Sequence, residues 1–314
     1  MARFTDARLP KRTHWNARKA RLVRVAERIA GALPGPAAAL LLRLGQLGAL
    51  AVYFLPGVPL RRACSDLSRL AAERGIRHAP FAIYRRLVAQ MRDVAWLYHR
   101  LYRAGREAVL PHLHYSPEHE RAFASLFEQD GAIVIAVPHN VGSVLYAMRL
   151  AAHFPCLVVG KQSKRPESDA LMQRFFERLG APLVLASRHE RVSTTRRLLE
   201  AIGEGRAIIA PLDRIDRRRE GIQARIFGRE VWFPTWAVRI AAKRKLPILP
   251  AWLTVERGEV QLELGAPIRE VDPARALQDL VNQFEDWILH DPGSWAFLAD
   301  KRWGFVLRGR GRKG

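Results

Sequence analysis

The chain has 314 residues, which is one large domain or two small ones at about 150 residues per domain. Apolar residues at 49% exclude a disordered chain and supply a core without staples, and two cysteines, Cys64 and Cys156, exclude a disulfide framework and fit a reducing compartment. A formal charge of +22 points to anionic partners: nucleic acid, an anionic membrane surface or an acidic carrier protein.

Residues 1–28 carry nine Lys and Arg against Asp6 and Glu27, and 1–32 reads as a basic arm. An apolar stretch follows from Leu33 to Leu55, broken by Arg43 and Gln46. A signal peptide is not expected, because the basic part is long and no small-residue cleavage site follows. The length permits a membrane span, but Arg43 near its middle costs about 2.5–3.5 kcal/mol on insertion scales. Basic charge on both sides also leaves neither flank as the translocated one. The expected arrangement is a helix lying in or dipping into the cytoplasmic leaflet, with the arm on anionic headgroups. A buried core helix behind a solvated basic tail is the alternative.

Residues 59–74 read as helical. Across 80–104, Tyr84, Leu87, Val88, Met91, Val94, Tyr98 and Leu101 recur at spacings of three and four, which marks an amphipathic helix. The segment 33–120 is therefore read as a helical, membrane-associated part. The pattern then changes. Gly131–Val137 is a continuous apolar run, as in a strand buried on both faces. Similar runs recur at Cys156–Val159, Pro182–Ala186, Ala207–Leu212 and Pro247–Leu253, separated by helical stretches near 142–153, 168–179, 191–204 and 235–245. The expected fold is α/β over 121–300, a mainly parallel sheet flanked by helices. Val260–Leu264 is expected to pair antiparallel with the strand before it, a last helix covers 273–289, and 301–314 is a basic tail. Trp295 and Trp303 are core residues by default and candidate interfacial anchors. Neither a helix-turn-helix nor a zinc-finger spacing nor an aromatic RNA-binding motif accompanies the basic ends, so no nucleic acid partner is expected.

In open α/β sheets ligands sit beyond the carboxyl ends of the strands. Pro138-His139-Asn140 follows the first run, Gly160 to Arg165 the second and Asp213-Arg214 the fourth. Those loops can converge on one cleft. His139, at a strand end opening a helix, is placed as a general base, with a structural histidine as the alternative. Lys161, Lys164 and Arg165 suit a phosphate or an oxyanion. His112 and His114 lack an acid or cysteine at ligand spacing, so no metal is expected.

Four segments carry a resemblance: Val134–Ser143 (VIAVPHNVGS), Val158–Pro166 (VVGKQSKRP), Ile208–Arg214 (IIAPLDR) and Phe227–Pro250 (FGREVWFPTWAVRIAAKRKLPILP). In order and spacing they resemble the lipid A biosynthesis (lauroyl/myristoyl) acyltransferases, a branch of the lysophospholipid acyltransferase superfamily. The resemblance implies a glycerolipid acyltransferase-like fold and an anchor on the cytoplasmic face of the cell inner membrane. It implies transfer of an acyl chain from an acyl carrier protein to a hydroxyl of a membrane lipid acceptor, without a cofactor. His139 takes the family's catalytic histidine and Asp213 its loop aspartate; Lys161 falls where the family often has an arginine and Arg214 where it usually has a glutamine, and with Lys164 and Arg165 they are read as substrate contacts. The family's acid, five positions after the histidine, is here Val144. Three readings follow: Asp213 or Glu167 orients His139, His139 acts with backbone donors alone, or the chain is an inactive member that binds lipid or carrier. Ser143 can bond His139 but brings no charge.

Overall fold

The computed structural model describes residues 25–309, except 26, 30, 164 and 187–190. Residues 1–24 of the basic arm, Lys164 and the last tail residues, 310–314, lie outside the described residues.

Three helices precede the sheet: α1 (Gly35–Val52), α2 (Pro59–Glu73) and α3 (Pro80–Ala104). Each has proline at its first or second position, where a missing N–H costs no intrahelical bond. Helix α1 lies on α3: the Tyr84 hydroxyl donates to Ala49 O at 2.6 Å, and Arg92 Nη1 donates to Gln46 Oε1 at 2.9 Å. Its other face leaves Leu40, Leu41, Leu44 and Leu47 exposed, and Ala38 is its one buried residue. Such exposure overturns the alternative of a buried core helix. In α3 the buried stripe includes Ile83, Leu87, Gln90, Val94, Leu97 and Leu101, whereas Met91, counted in the stripe from its spacing, is exposed. Gln90 takes the inward place because its Nε2 donates to Ser294 Oγ at 2.6 Å.

The chain continues through β1 (Leu113–Tyr115), α4 (Pro117–Asp130), β2 (Val134–Val137), α5 (Val144–Ala151), β3 (Cys156–Lys161), α6 (Pro166–Leu179), β4 (Leu183–Ala186), α7 (Arg191–Gly203) and β5 (Ala207–Pro211). A hairpin, β6 (Ile222–Ile226) and β7 (Arg229–Phe233), precedes α8 (Trp236–Arg244), β8 (Ile248–Glu256), β9 (Glu259–Leu264) and α9 (Pro273–His290). Two short 3-10 turns at Pro292–Ser294 and Ala296–Ala299 lead into α10 (Lys301–Leu307). That last helix lies in the segment read from sequence as a basic tail, and it buries Trp303, Gly304 and Leu307.

The fold is α/β, with a seven-stranded sheet in the order β1-β9-β8-β2-β5-β3-β4. β8, β2, β5, β3 and β4 run parallel, β9 is antiparallel to β8, and β1 is parallel to β9. Each parallel strand is the apolar run expected for a sheet covered on both faces, and β2 is buried at every position. From β2 the chain crosses over β5 to reach β3, whereas from β5 it returns across β2 to β8. The connections therefore leave β2 and β5 in opposite directions. In open sheets of this kind ligands bind outside the carboxyl ends of strands whose connections diverge in this way.

Candidate functional site

The register of β2 and β5 pairs Val137 with Pro211, so His139 and Asp213 each lie two residues beyond that last pair. The two side chains meet. Nδ1 of His139 is hydrogen-bonded to Asp213 Oδ1, and the His139 backbone N–H donates to Asp213 Oδ2 at 2.9 Å. A carboxylate only accepts, so Nδ1 carries a proton, and in the neutral imidazole that tautomer leaves the lone pair on Nε2. The Asp213 side chain is 2% exposed and that of His139 25%. The acid is sequestered while the imidazole is still partly exposed.

A buried carboxylate needs its oxygens occupied by donors. Besides His139, the far end of the chain supplies donors to Asp213, one to its carboxylate and one to its backbone. Trp295 Nε1 donates to Asp213 Oδ2 at 3.0 Å, and Trp303 Nε1 to the Asp213 carbonyl at 3.2 Å. Both indoles are fully buried, which removes them as interfacial anchors. They meet edge-on at 5.0 Å and pack with Phe227. Phe227 sits in the β6–β7 turn at φ 52°, followed by Gly228 at 69°, the pair of positive φ values that a tight hairpin turn requires. A bulky residue rarely takes that conformation; burial against two tryptophans and the N–H bond to Glu285 Oε2 at 2.7 Å hold it there.

The segment 291–299 forms a strap over the His139 loop. Ala296 N–H donates to His139 O at 2.7 Å, and Val141 N–H to Ser294 O at 2.9 Å. Phe297 stacks on the imidazole, with ring centroids 4.1 Å apart and planes at 20°. The strap is tied in turn to α3 through Gln90 and through Arg86, whose Nε and Nη2 lie 3.1 and 3.0 Å from the Asp291 carboxylate oxygens. Trp295 and Phe297 are the site residues that the sequence reading missed as such. Both are aromatic residues near the end of the chain, with no local motif around them.

Val144 opens α5 and is partly buried against the core. The acid absent there is supplied to the imidazole by Asp213, across 74 residues of chain. Lys161 ends β3 and is exposed; because β3 lies beside β5, its strand is two spacings from β2, roughly 9–10 Å. Arg165, also exposed, caps α6, and its N–H donates to Ser163 Oγ at 3.2 Å. Glu167 is exposed in the first turn of α6, so Asp213 and not Glu167 is the group on His139. Arg214 is half-buried, and among the described residues its buried Nε has no hydrogen-bond partner. His112 and His114 do have an acid partner, remote in sequence: Glu259 accepts from both, at 2.8 and 2.7 Å.

A histidine braced by a buried carboxylate at the switch point of a mainly parallel sheet defines an α/β protein with the parts of a general base. The family model of bacterial lipid A biosynthesis acyltransferases matches residues 105–304, and the chain belongs to that family. No curated protein matches it.

Proposed function

We propose that the protein transfers a fatty acyl chain from an acyl carrier protein thioester to a hydroxyl of a membrane lipid, a lipid A-like glycolipid or a related acceptor. Membership of an acyltransferase family supports the reaction class. The observation that carries the mechanism is the bond from His139 Nδ1 to Asp213, which leaves Nε2 to take a proton. Nε2 removes the acceptor's hydroxyl proton as its oxygen attacks the thioester carbonyl. The tetrahedral intermediate then collapses, the C–S bond breaks, and the proton passes from His139 to the departing thiolate. Asp213 holds the tautomer and stabilises the imidazolium, the part an acid plays beside a catalytic histidine. Lys161, Lys164, Arg165 and Arg214 bind substrate. For Arg214, the unpartnered Nε beside Asp213 supports a contact to a phosphate or carbonyl oxygen.

The acceptor is embedded in a bilayer, so the enzyme works on the cytoplasmic face of the inner membrane. The exposed apolar face of α1 and the basic arm before it support that location. Among the described residues α1 is one helix long and apolar enough to cross a membrane. Its length permits a span, but exposed Arg43 lies near its middle, at a cost of about 2.5–3.5 kcal/mol on insertion scales. It therefore sits at the interface and does not span. The excess of positive charge suits an acidic carrier protein and an anionic surface.

The test is an assay with acyl carrier thioesters and a membrane lipid extract. A new acylated lipid is expected, and His139→Ala should lower its formation by at least about 100-fold, the range for a general base. Transfer that survives His139→Ala sinks the mechanism. Folded protein that makes no product at all favours an inactive relative that binds lipid or carrier.

A further inference from the structure

Away from His139, an open cavity of about 310 Å³ lies between the start of α2 and the end of α10, lined by Val58, Arg61, Arg62, Ser65, Asp66 and Arg308. Three guanidinium groups face one carboxylate there. Among the described residues none of the three arginines is within ion-pair distance of a carboxylate, and with Asp66 as the one acid facing them the lining keeps an excess of positive charge. Two of them rest on rings instead: Arg61 stands 5.7 Å from the centroid of Tyr53 and Arg308 stands 5.1 Å from that of Phe305. Asp66 Oδ2 is buried without a hydrogen-bond partner. It is an acceptor with nothing to accept, a state that costs free energy unless a ligand or water fills it.

The surroundings say what kind of ligand. Phe54 is 67% exposed, Leu55 55% and Phe305 51%; Leu55 lies six residues before Arg61 and Phe305 three before Arg308. The exposed leucines of α1 end only a few residues earlier. Leu55 and Val58 are three residues apart, at most roughly 10 Å of chain. Exposed apolar side chains and the cavity arginines thus occur in the same two stretches of chain, 54–62 and 305–308. Guanidinium groups favour phosphate oxygens over other anions because their fork matches two of them.

We propose that this cavity binds the headgroup of an anionic phospholipid of the membrane. Arg61, Arg62 and Arg308 hold the phosphodiester, and Asp66 Oδ2 accepts a hydrogen bond from a headgroup hydroxyl. Phosphatidylglycerol has both features. The site lies apart from His139 and holds a lipid that is not consumed, fixing the height and tilt of the enzyme on the bilayer. This rests on the membrane-facing role of α1 proposed above.

The experiment uses full-length protein and flotation with phosphatidylcholine vesicles, with and without phosphatidylglycerol, at physiological salt. Arg61→Gln, Arg62→Gln and Arg308→Gln are combined in one variant. Arg174→Gln, Arg196→Gln and Arg197→Gln, exposed residues of α6 and α7, are combined in an equal-charge control. An arginine at an anionic surface is worth roughly fivefold in binding. The cavity variant should lose at least about tenfold on phosphatidylglycerol vesicles, and the control no more than about twofold. Unchanged binding of the cavity variant to pure phosphatidylcholine shows that α1 is still folded and presented. Equal losses in both variants mean diffuse attraction and overturn the site. So does competition by inorganic phosphate at matched ionic strength, which assigns the cavity to free phosphate. Wild-type protein that floats with neither vesicle overturns the membrane reading and the site together, whereas wild type and cavity variant binding alike overturns the site alone.

Discussion

At the scale of single residues, the proposed mechanism turns on Asp213, the acid bonded to His139. The contacts on its carboxylate make separate tests possible. Asp213→Asn keeps the shape but can place an amide N–H toward Nδ1, which favours the wrong tautomer; in a serine protease triad the same change costs about 10⁴ in rate. Transfer should fall by about 10²–10⁴, measured as initial rate at saturating thioester. Trp295→Phe keeps the packing and removes one donor to Oδ2. Because that donor holds the acid and does not touch substrate, kcat should fall while KM for the thioester stays within about twofold; a hydrogen bond to a charged group is worth about 1.5–3 kcal/mol. A KM change with intact kcat would instead make Trp295 a substrate contact. Val144→Glu restores the family's acid in name only. The site of Val144 is partly buried against the core, and Nδ1 already has its acceptor. The glutamate should lower unfolding stability by about 1–3 kcal/mol and leave the rate no higher than wild type. A faster enzyme would show that Asp213 is the weaker partner.

Elements show where sequence periodicity is informative and where it is not. The five parallel strands were legible because a strand covered on both faces has to be apolar throughout, and each run stands between helical stretches. Their order was not. That β2 and β5 are neighbours, with His139 and Asp213 at the same height, depends on crossovers that local pattern does not encode. β1 is three residues long, and hairpin β6–β7 alternates outside the main sheet, so neither produced a continuous run. Gln90 hid the true stripe of α3, because a polar residue faces inward for a partner, Ser294, 204 residues away. The strap at 291–299 had no signal for the same reason. Its worth lies in what it touches.

The edge made by β1 and β9 offers a pH test. Glu259 is held below the ordinary carboxylate range, chiefly by its bond with His114, opposed next by burial, with the bond to His112 adding a smaller lowering. A depressed folded pKa gives stability that is present above the unfolded carboxylate value and lost as pH falls through the folded one. At this half-exposed site screening keeps it to about 0.2–1 kcal/mol. Glu259→Gln should be less stable than wild type by that amount at pH 6, and the gap should close below about pH 4. A gap that persists at low pH would mean packing, not the ion pairs, holds the edge.

For the whole molecule, the proposed function makes a charge of +22 and an exposed apolar helix two different attachments to one surface, and salt separates them. Attraction between exposed charges is screened within about 3 Å at 1 M salt, whereas burial of apolar area is not weakened. One signal gives reversible binding, and two together give stable anchoring. Wild-type protein should therefore stay with membranes through a 1 M salt wash. Leu40→Gln, Leu44→Gln and Leu47→Gln change side chains that are 58, 55 and 64% exposed, so the fold should be kept. Each leucine buried in lipid contributes up to about 1.5–3 kcal/mol. The triple variant should thus still bind at low salt, through its charge, and come off at 1 M. Wild type released by salt alone would leave charge as the whole attachment and reduce α1 to a surface helix with no lipid partner. The hydroxyl of a bilayer lipid would then have to reach His139 without the anchor that brings the imidazole to it.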